Sequence, residues 1–293
     1  MPPSHLLLAL AVAFVWGTNF VVIRWGLDVF PPFLLATLRF ALSAFPCLLF
    51  VARPAAAWRT LAAFGMLSGA QFALLFWALR ADIAPGLASL VVQAQVFFTI
   101  GLALVVSGER VRPVQLGALA LAVAGMAVIG GHLDAHVTAF GVGLTLAAAL
   151  SWALANMVSR TAGRIDMLGF MVWSSVFAVP PLALLSLVVE GPAAITAALG
   201  RAGPGAWGAV AWQALGNTLF GYGAWNWLLA RHPAATVAPT SLLVPVFGMG
   251  AAALMLGEPL PAWKLAAAGL VMAGLALNVV AGRGAARGVA VAR

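Results

Sequence analysis

The chain has 293 residues, 64% of them hydrophobic and only 8% charged, against roughly 45–50% and 25% in a soluble domain. So few charges cannot coat a water-soluble globule of this size. Disorder and collagen are excluded by composition, and a disulfide scaffold by the single cysteine, Cys47. The net charge of +8 does not point to nucleic acid, because Lys and Arg stand in ones and twos between apolar blocks, as cations do when they mark one side of a membrane protein.

A spanning helix takes about 20 apolar residues. Blocks of that kind, each closed by charge, Pro or Gly, fall at 5–27, 31–52, 59–81, 83–107, 112–131, 138–162, 165–189, 204–230, 233–256 and 261–281. The first lacks the basic start of a signal peptide and is longer than a signal core, so it reads as a retained helix. None shows the ten-residue alternation of a barrel strand, and a backbone inside lipid must satisfy its own hydrogen bonds, so the expected elements are helices. Blocks three and four are joined by a tight hairpin at Arg80-Ala81-Asp82, and the Gly/Ala/Arg-rich segment 282–293 reads as a loose, flexible tail. With the N-terminus placed in the cytoplasm, Arg53, Arg59, Arg110, Arg112, Arg160, Arg164, Arg231, Arg283, Arg287 and Arg293 lie inside. Arg24, Arg80, Arg201 and Lys264 lie outside, and Arg39 falls within a block. That bias orients the protein with both termini cytoplasmic.

The two halves repeat each other. At an offset of 149 residues, Gly108-Glu109 meets Gly257-Glu258, and Ala124-Gly125 meets Ala273-Gly274. Trp16 with Arg24 likewise answers Trp152 with Arg160. Five blocks per half make the second half enter the membrane from the opposite side. The expected fold is all-α integral membrane, ten transmembrane helices as two inverted five-helix repeats (1–131 and 138–281), the architecture by which secondary transporters alternate access to a midplane site.

The residues also resemble a family. Val15-Trp16-Gly17-Thr18-Asn19-Phe20, Pro31-Pro32 with Leu38-Arg39-Phe40, the segment from Pro85 to Gln95 followed by Phe97-Phe98, and the run from Ala238 to Pro245 resemble the drug/metabolite transporter superfamily in its EamA-type branch. The segment from Pro85 is similar to bacterial exporters of cysteine and O-acetylserine. The resemblance implies export of amino acids or related small metabolites across the bacterial inner membrane.

Polar side chains inside the blocks are few and need partners or a purpose. The candidate cargo-binding residues are Trp16, Asn19, Arg39, Gln71, Trp77, Gln93, Gln95, Trp152, Asn156, Trp173, Tyr222, Asn226 and Ser241. Amides suit both ends of a zwitterion and rings suit its side chain; bridging between helices is the competing role. Tyr222 and Asn226 share a helical face at i and i+4, Gln71 and Trp77 do not, and Gln93 and Gln95 lie about 200° apart on a regular helix. One of that pair is therefore expected to face cargo and the other to be structural, unless the turn unwinds. Arg39 either snorkels to the headgroups or takes a functional place, as a carboxylate anchor or an interhelical bond to carbonyls; Glu109 and Glu258 cap a helix or lock a gate.

No acid or histidine lies mid-block, so an intramembrane enzyme lacks its nucleophile, base or metal ligands, and no phosphate loop points to ATP or another cofactor. The partners expected are a small-molecule substrate and the bilayer, with no nucleic acid, for a protein acting as a monomer. A multidrug or other metabolite exporter on the same fold is the alternative function, and a structural membrane protein a third class.

Overall fold

Prolines set where the helices begin. In the computed structural model, which describes residues 1–107, 113–134, 137–163 and 165–291, Pro3, Pro32, Pro85, Pro113, Pro192 and Pro204 each open a helix, where the missing N–H costs nothing. The first half holds α1 (Pro3–Leu27), α2 (Pro32–Ala44), α3 (Trp58–Ala81), α4 (Pro85–Val91), α5 (Ala94–Ser107) and α6 (Pro113–Gly130). The second holds α7 (Ala139–Thr161), α8 (Met167–Leu185), α9 (Pro192–Arg201), α10 (Pro204–Ala211), α11 (Gly221–Arg231), α12 (Ala234–Val237), α13 (Leu243–Leu256) and α14 (Ala262–Val291). Among the described residues there is no strand, and nine helices are long and apolar enough to cross a membrane. The block at 204–230 is instead filled by α10, a π-helical stretch Trp212–Phe220 and α11, none of which reaches that length alone. Many apolar side chains point outward, Leu254 at 89% exposure, as lipid-facing positions require.

Three blocks break where Pro or a polar pair sits. Block two ends its α-helix at Ala44, before Pro46, and continues as a short 3-10 turn. Block four is split at Val92-Gln93 into α4 and α5. Block nine is split at the matching place by the 3-10 segment Ala238–Leu242, which contains Pro239. The tail departs from expectation: α14 runs on to Val291, because Ala and Arg favour helix and no proline stops it.

The first half starts at the end of the bundle that carries His5, and the second at the end that carries Glu258, where the Thr138 amide and hydroxyl donate to Asp82 and Thr138 Oγ1 caps α7. The halves interlock rather than abut: α1 packs on α13, α3 on α7 and α8, and α6 on α14. Small residues permit the close approach. A Cβ on Gly17 would lie 2.6 Å from the Val244 carbonyl oxygen, and one on Gly65 would lie 2.1 Å from that of Ser174, distances no side chain tolerates.

The largest buried cluster, with Phe30, Leu35, Phe76, Leu79, Leu87 and Leu90, sits toward the Glu258 end. Smaller clusters around Leu61, Phe64 and Phe170, and around Ala9 and Leu228, hold the His5 end. Between them lies a cavity.

Candidate cargo cavity

Helical periodicity assembles the walls. Trp16, Asn19, Phe20 and Ile23 occupy one face of α1 at i, i+3, i+4 and i+7. Gln71, Phe72 and Leu75 come from α3, Trp152, Asn156 and Ser159 from α7, Met167 and Met171 from α8. Tyr222, Trp225, Asn226 and Leu229 repeat the i, i+3, i+4, i+7 pattern on α11. The cavity measures about 390 Å³, within the roughly 300–1,000 Å³ of small-molecule sites. Its wall reaches the last turn of α7 and the first of α8 at the His5 end, while toward the Glu258 end it stops at Ile23 and Leu75, short of the ends of α1 and α3.

The broken spans supply what regular helices would hide. Gln93 and Gln95 both line the cavity because the regular helix breaks between α4 and α5, where their amides donate to the Leu90 and Val92 carbonyls in tightened i→i−3 bonds; Gln95 Nε2 stands 3.4 Å from Gln93 Oε1. That break is the exception the expectation of one cargo-facing and one structural glutamine allowed, and both side chains reach the cavity. Ser241 and Val244 enter from the 3-10 break and the start of α13. The π-helical stretch offers the Asn217 carbonyl to Trp16 Nε1 at 3.1 Å, and Gly221 leaves room for the Trp16 ring, since a Cβ there would come 2.3 Å from that nitrogen. Trp16 in turn packs against Tyr222 and Trp225, and Trp152 against Tyr222. The result is an aromatic corner facing a row of amides. Among the described residues no lining side chain is charged, and the buried Asn19 Oδ1 and Gln71 Oε1 have no hydrogen-bond partner.

The structure thus brings ten of the expected residues to one wall: Trp16, Asn19, Gln71, Gln93, Gln95, Trp152, Asn156, Tyr222, Asn226 and Ser241. Three stand elsewhere. Trp77 is 41% exposed and packs on Phe33 and Phe140, because it lies on a different face of α3, about 120° round from Gln71. Trp173 donates to the Val51 carbonyl and packs on Trp58 at the His5 end. Arg39 is buried at 1% exposure behind Phe72 and does not snorkel, because its helix turns that face inward against α8 and the π-helical stretch. Phe64, Phe72, Met167, Met171 and Leu229 complete the wall. Their signal was available at i+3 from Asn226 for Leu229 and along α3 and α8 for the others, but apolar residues in an apolar helix do not announce a cavity.

Glu258 acts across the halves. Gly257 closes α13 with a left-handed φ of 67°, which glycine alone adopts without strain. The chain then turns so that Glu258 Oε2 accepts from the Gly86 amide at 2.8 Å and Oε1 pairs with Lys264 Nζ at 2.8 Å. It therefore holds the start of α4 in the other half rather than capping the helix that follows it. Glu109, its counterpart in the repeat, lies outside the described residues, as do Arg110, Arg112 and Arg164.

The sequence matches the EamA-like transporter family twice, over residues 3–131 and over residues 139–280. The chain belongs to the EamA-like transporter family. It is 45% identical over 279 residues to a "Probable amino-acid metabolite efflux pump" of Salmonella typhimurium (strain LT2), and 43% identical to a protein of the same description from Escherichia coli (strain K12). Each alignment covers 93% of this chain and 93% of the relative. A solved crystal structure with 18% identity superposes with a TM-score of 0.63, covering 97% of this chain and 99% of the other, which shows a shared fold. This EamA-like transporter is accordingly a multi-pass membrane protein that moves a small molecule, not an enzyme.

Proposed function

We propose that this EamA-like transporter exports amino acids or closely related zwitterionic metabolites from the bacterial cytoplasm across the inner membrane by alternating access. The observation that carries the reading is the cavity itself: seven amides, an aromatic corner and no charged lining group among the described residues. Such a wall solvates an ammonium and a carboxylate without holding either so firmly that it cannot leave. The free carbonyl oxygens of Asn19 and Gln71 accept from the ammonium, and the rings around Tyr222 receive its positive face and the side chain. The relatives named as amino-acid metabolite efflux pumps support the same cargo class.

In this reading ten spans cross the membrane with both termini cytoplasmic. The His5 end then faces the cytoplasm and is the end toward which the cavity extends, so the conformation is inward-facing and one chain suffices for transport. The experiment is flux from proteoliposomes loaded with labelled amino acids, with insertion checked by an impermeant thiol reagent on Cys47→Ala protein carrying Asp134→Cys or Arg231→Cys. Amino acids should leave, and position 134 should label only from the periplasmic side. Loss of one amide bond to a charged cargo group costs ~1.5–3 kcal/mol, so Gln93→Ala, Gln95→Ala or Asn226→Ala should lower flux about ten- to hundredfold. Full flux in all three, or competition by lipophilic cations and not by amino acids, overturns the reading in favour of multidrug export.

A further inference from the structure

Arg39 is the largest fully buried side chain among the described residues. It lies seven residues into α2, roughly 10 Å along the helix from Pro32, and at 1% exposure it does not snorkel to the headgroups. Nη2 donates to Thr218 Oγ1 at 3.2 Å, and the guanidinium carbon stands 3.5 Å from the centroid of Phe72 and 5.5 Å from that of Phe40. Nε and Nη1 have no hydrogen-bond partner. Among the described residues no carboxylate pairs with it, since the ion pairs are Arg24 with Asp28 and Lys264 with Glu258. Nearby polarity is equally unsaturated: on the π-helical stretch that presents Thr218, Gln213 is fully buried with both amide atoms unpartnered.

A structural bridge between α2 and the π-helical stretch does not need a cation. One threonine hydroxyl is satisfied as well by a neutral amide, without the several kcal/mol of desolvation that a buried charge incurs. A guanidinium at this depth gains its energy when an anion with planar paired oxygens arrives. Phe72 stands between it and the cavity: its ring lines the wall and carries the guanidinium.

We propose that Arg39 is the carboxylate site for the cargo, covered by Phe72 in this conformation and reached when that ring turns aside. The inference rests on the amino-acid reading above and narrows it. The transported class has a free carboxylate, the amide-lined cavity receives the ammonium and side chain, and Phe72 is the gate between the two. Thr218 holds one edge of the guanidinium, so that Nε and Nη1 remain available. Because the site is closed here, cargo enters the neutral cavity first and meets the charge afterwards, which couples tight binding to the conformational step.

The test compares each transported amino acid with its own carboxamide, which keeps the ammonium, side chain and size but loses the anionic oxygen. Both compete against the labelled acid in proteoliposomes bearing wild-type protein, Arg39→Gln or Arg39→Lys. In the wild type the free acid should compete about tenfold or more better than the amide. Arg39→Gln should bring the two within about threefold, and Arg39→Lys should restore part of the preference. A purely structural arginine would lower flux without changing that ratio. Equal competition by acid and amide in the wild type overturns the inference even if Arg39→Gln fails to fold, while leaving amino-acid export standing. An unchanged ratio in folded Arg39→Gln overturns it as well. If no amino acid is transported, both readings fall.

Discussion

The two ends of the bundle are closed by different chemistry. At the Glu258 end, carboxylates of the second half bind backbone amides of the first: Glu258 takes Gly86, and Glu190 takes the amides of Phe33 and Leu34 at 2.6 and 3.0 Å together with the Ser186 hydroxyl. Arg24 and Arg80 add bonds to carbonyls of the neighbouring helix ends, and the main apolar cluster lies just beneath. At the His5 end the halves meet without a carboxylate in these contacts, His5 against His232 and the Trp173 indole on the Val51 carbonyl, over small, separate clusters. Charge-assisted bonds are about twice as strong as neutral ones. The end with these cross-half carboxylates is therefore the firm one in this conformation, and the cavity extends toward the other.

The largest effect should follow from breaking the buried pair. Glu258→Gln leaves Lys264, 4% exposed at its side chain, as an uncompensated charge, with an expected loss of ~3–5 kcal/mol. Thermal unfolding in detergent measures it. The double variant Glu258→Gln/Lys264→Met should recover most of that loss, since an apolar replacement of both partners is nearly neutral. No recovery would mean that the contact to Gly86, not the ion pair, carries the closure. A smaller loss, ~1–3 kcal/mol, is expected for Glu190→Ala, which orphans the amides of Phe33 and Leu34. An unchanged unfolding temperature there would assign the firmness of this end to its apolar cluster.

The smallest effect belongs to the other end. His232 is held below the ordinary imidazole value, chiefly by local desolvation, then by His5, the N-terminal ammonium and Arg231. Folding therefore disfavours its protonated form, and the unfolded chain binds more protons as pH falls through about 6.5. Stability should be level above that value and decline below it, and His232→Gln should remove part of the decline. A wild-type unfolding temperature that rises on acidification would reverse the assignment of this contact as a neutral one.

Much of the site was legible because it obeys helical arithmetic. Tyr222 with Asn226 on one face, and Gln71 apart from Trp77, followed from spacing alone. Gln93 and Gln95 did not: both reach the cavity where block four breaks into a tight turn between α4 and α5, an event their local sequence permits but does not dictate. Arg39 was legible as an anomaly, a cation within a span, but neither of its expected settings described Phe72 lying over it.

Composition and periodicity by themselves determined that this chain is a bundle of membrane helices in two related halves, because 8% charge in lipid leaves the backbone no other way to satisfy its hydrogen bonds. The two Gly-Glu motifs marked equivalent span ends. Only the tertiary structure decided what Glu258 grips, which faces turn toward a common cavity, and which end of the bundle is closed. Those outcomes depend on contacts between residues such as Gly86 and Glu258, far apart in the chain, and an apolar alphabet looks the same whether a side chain meets lipid, another helix or cargo.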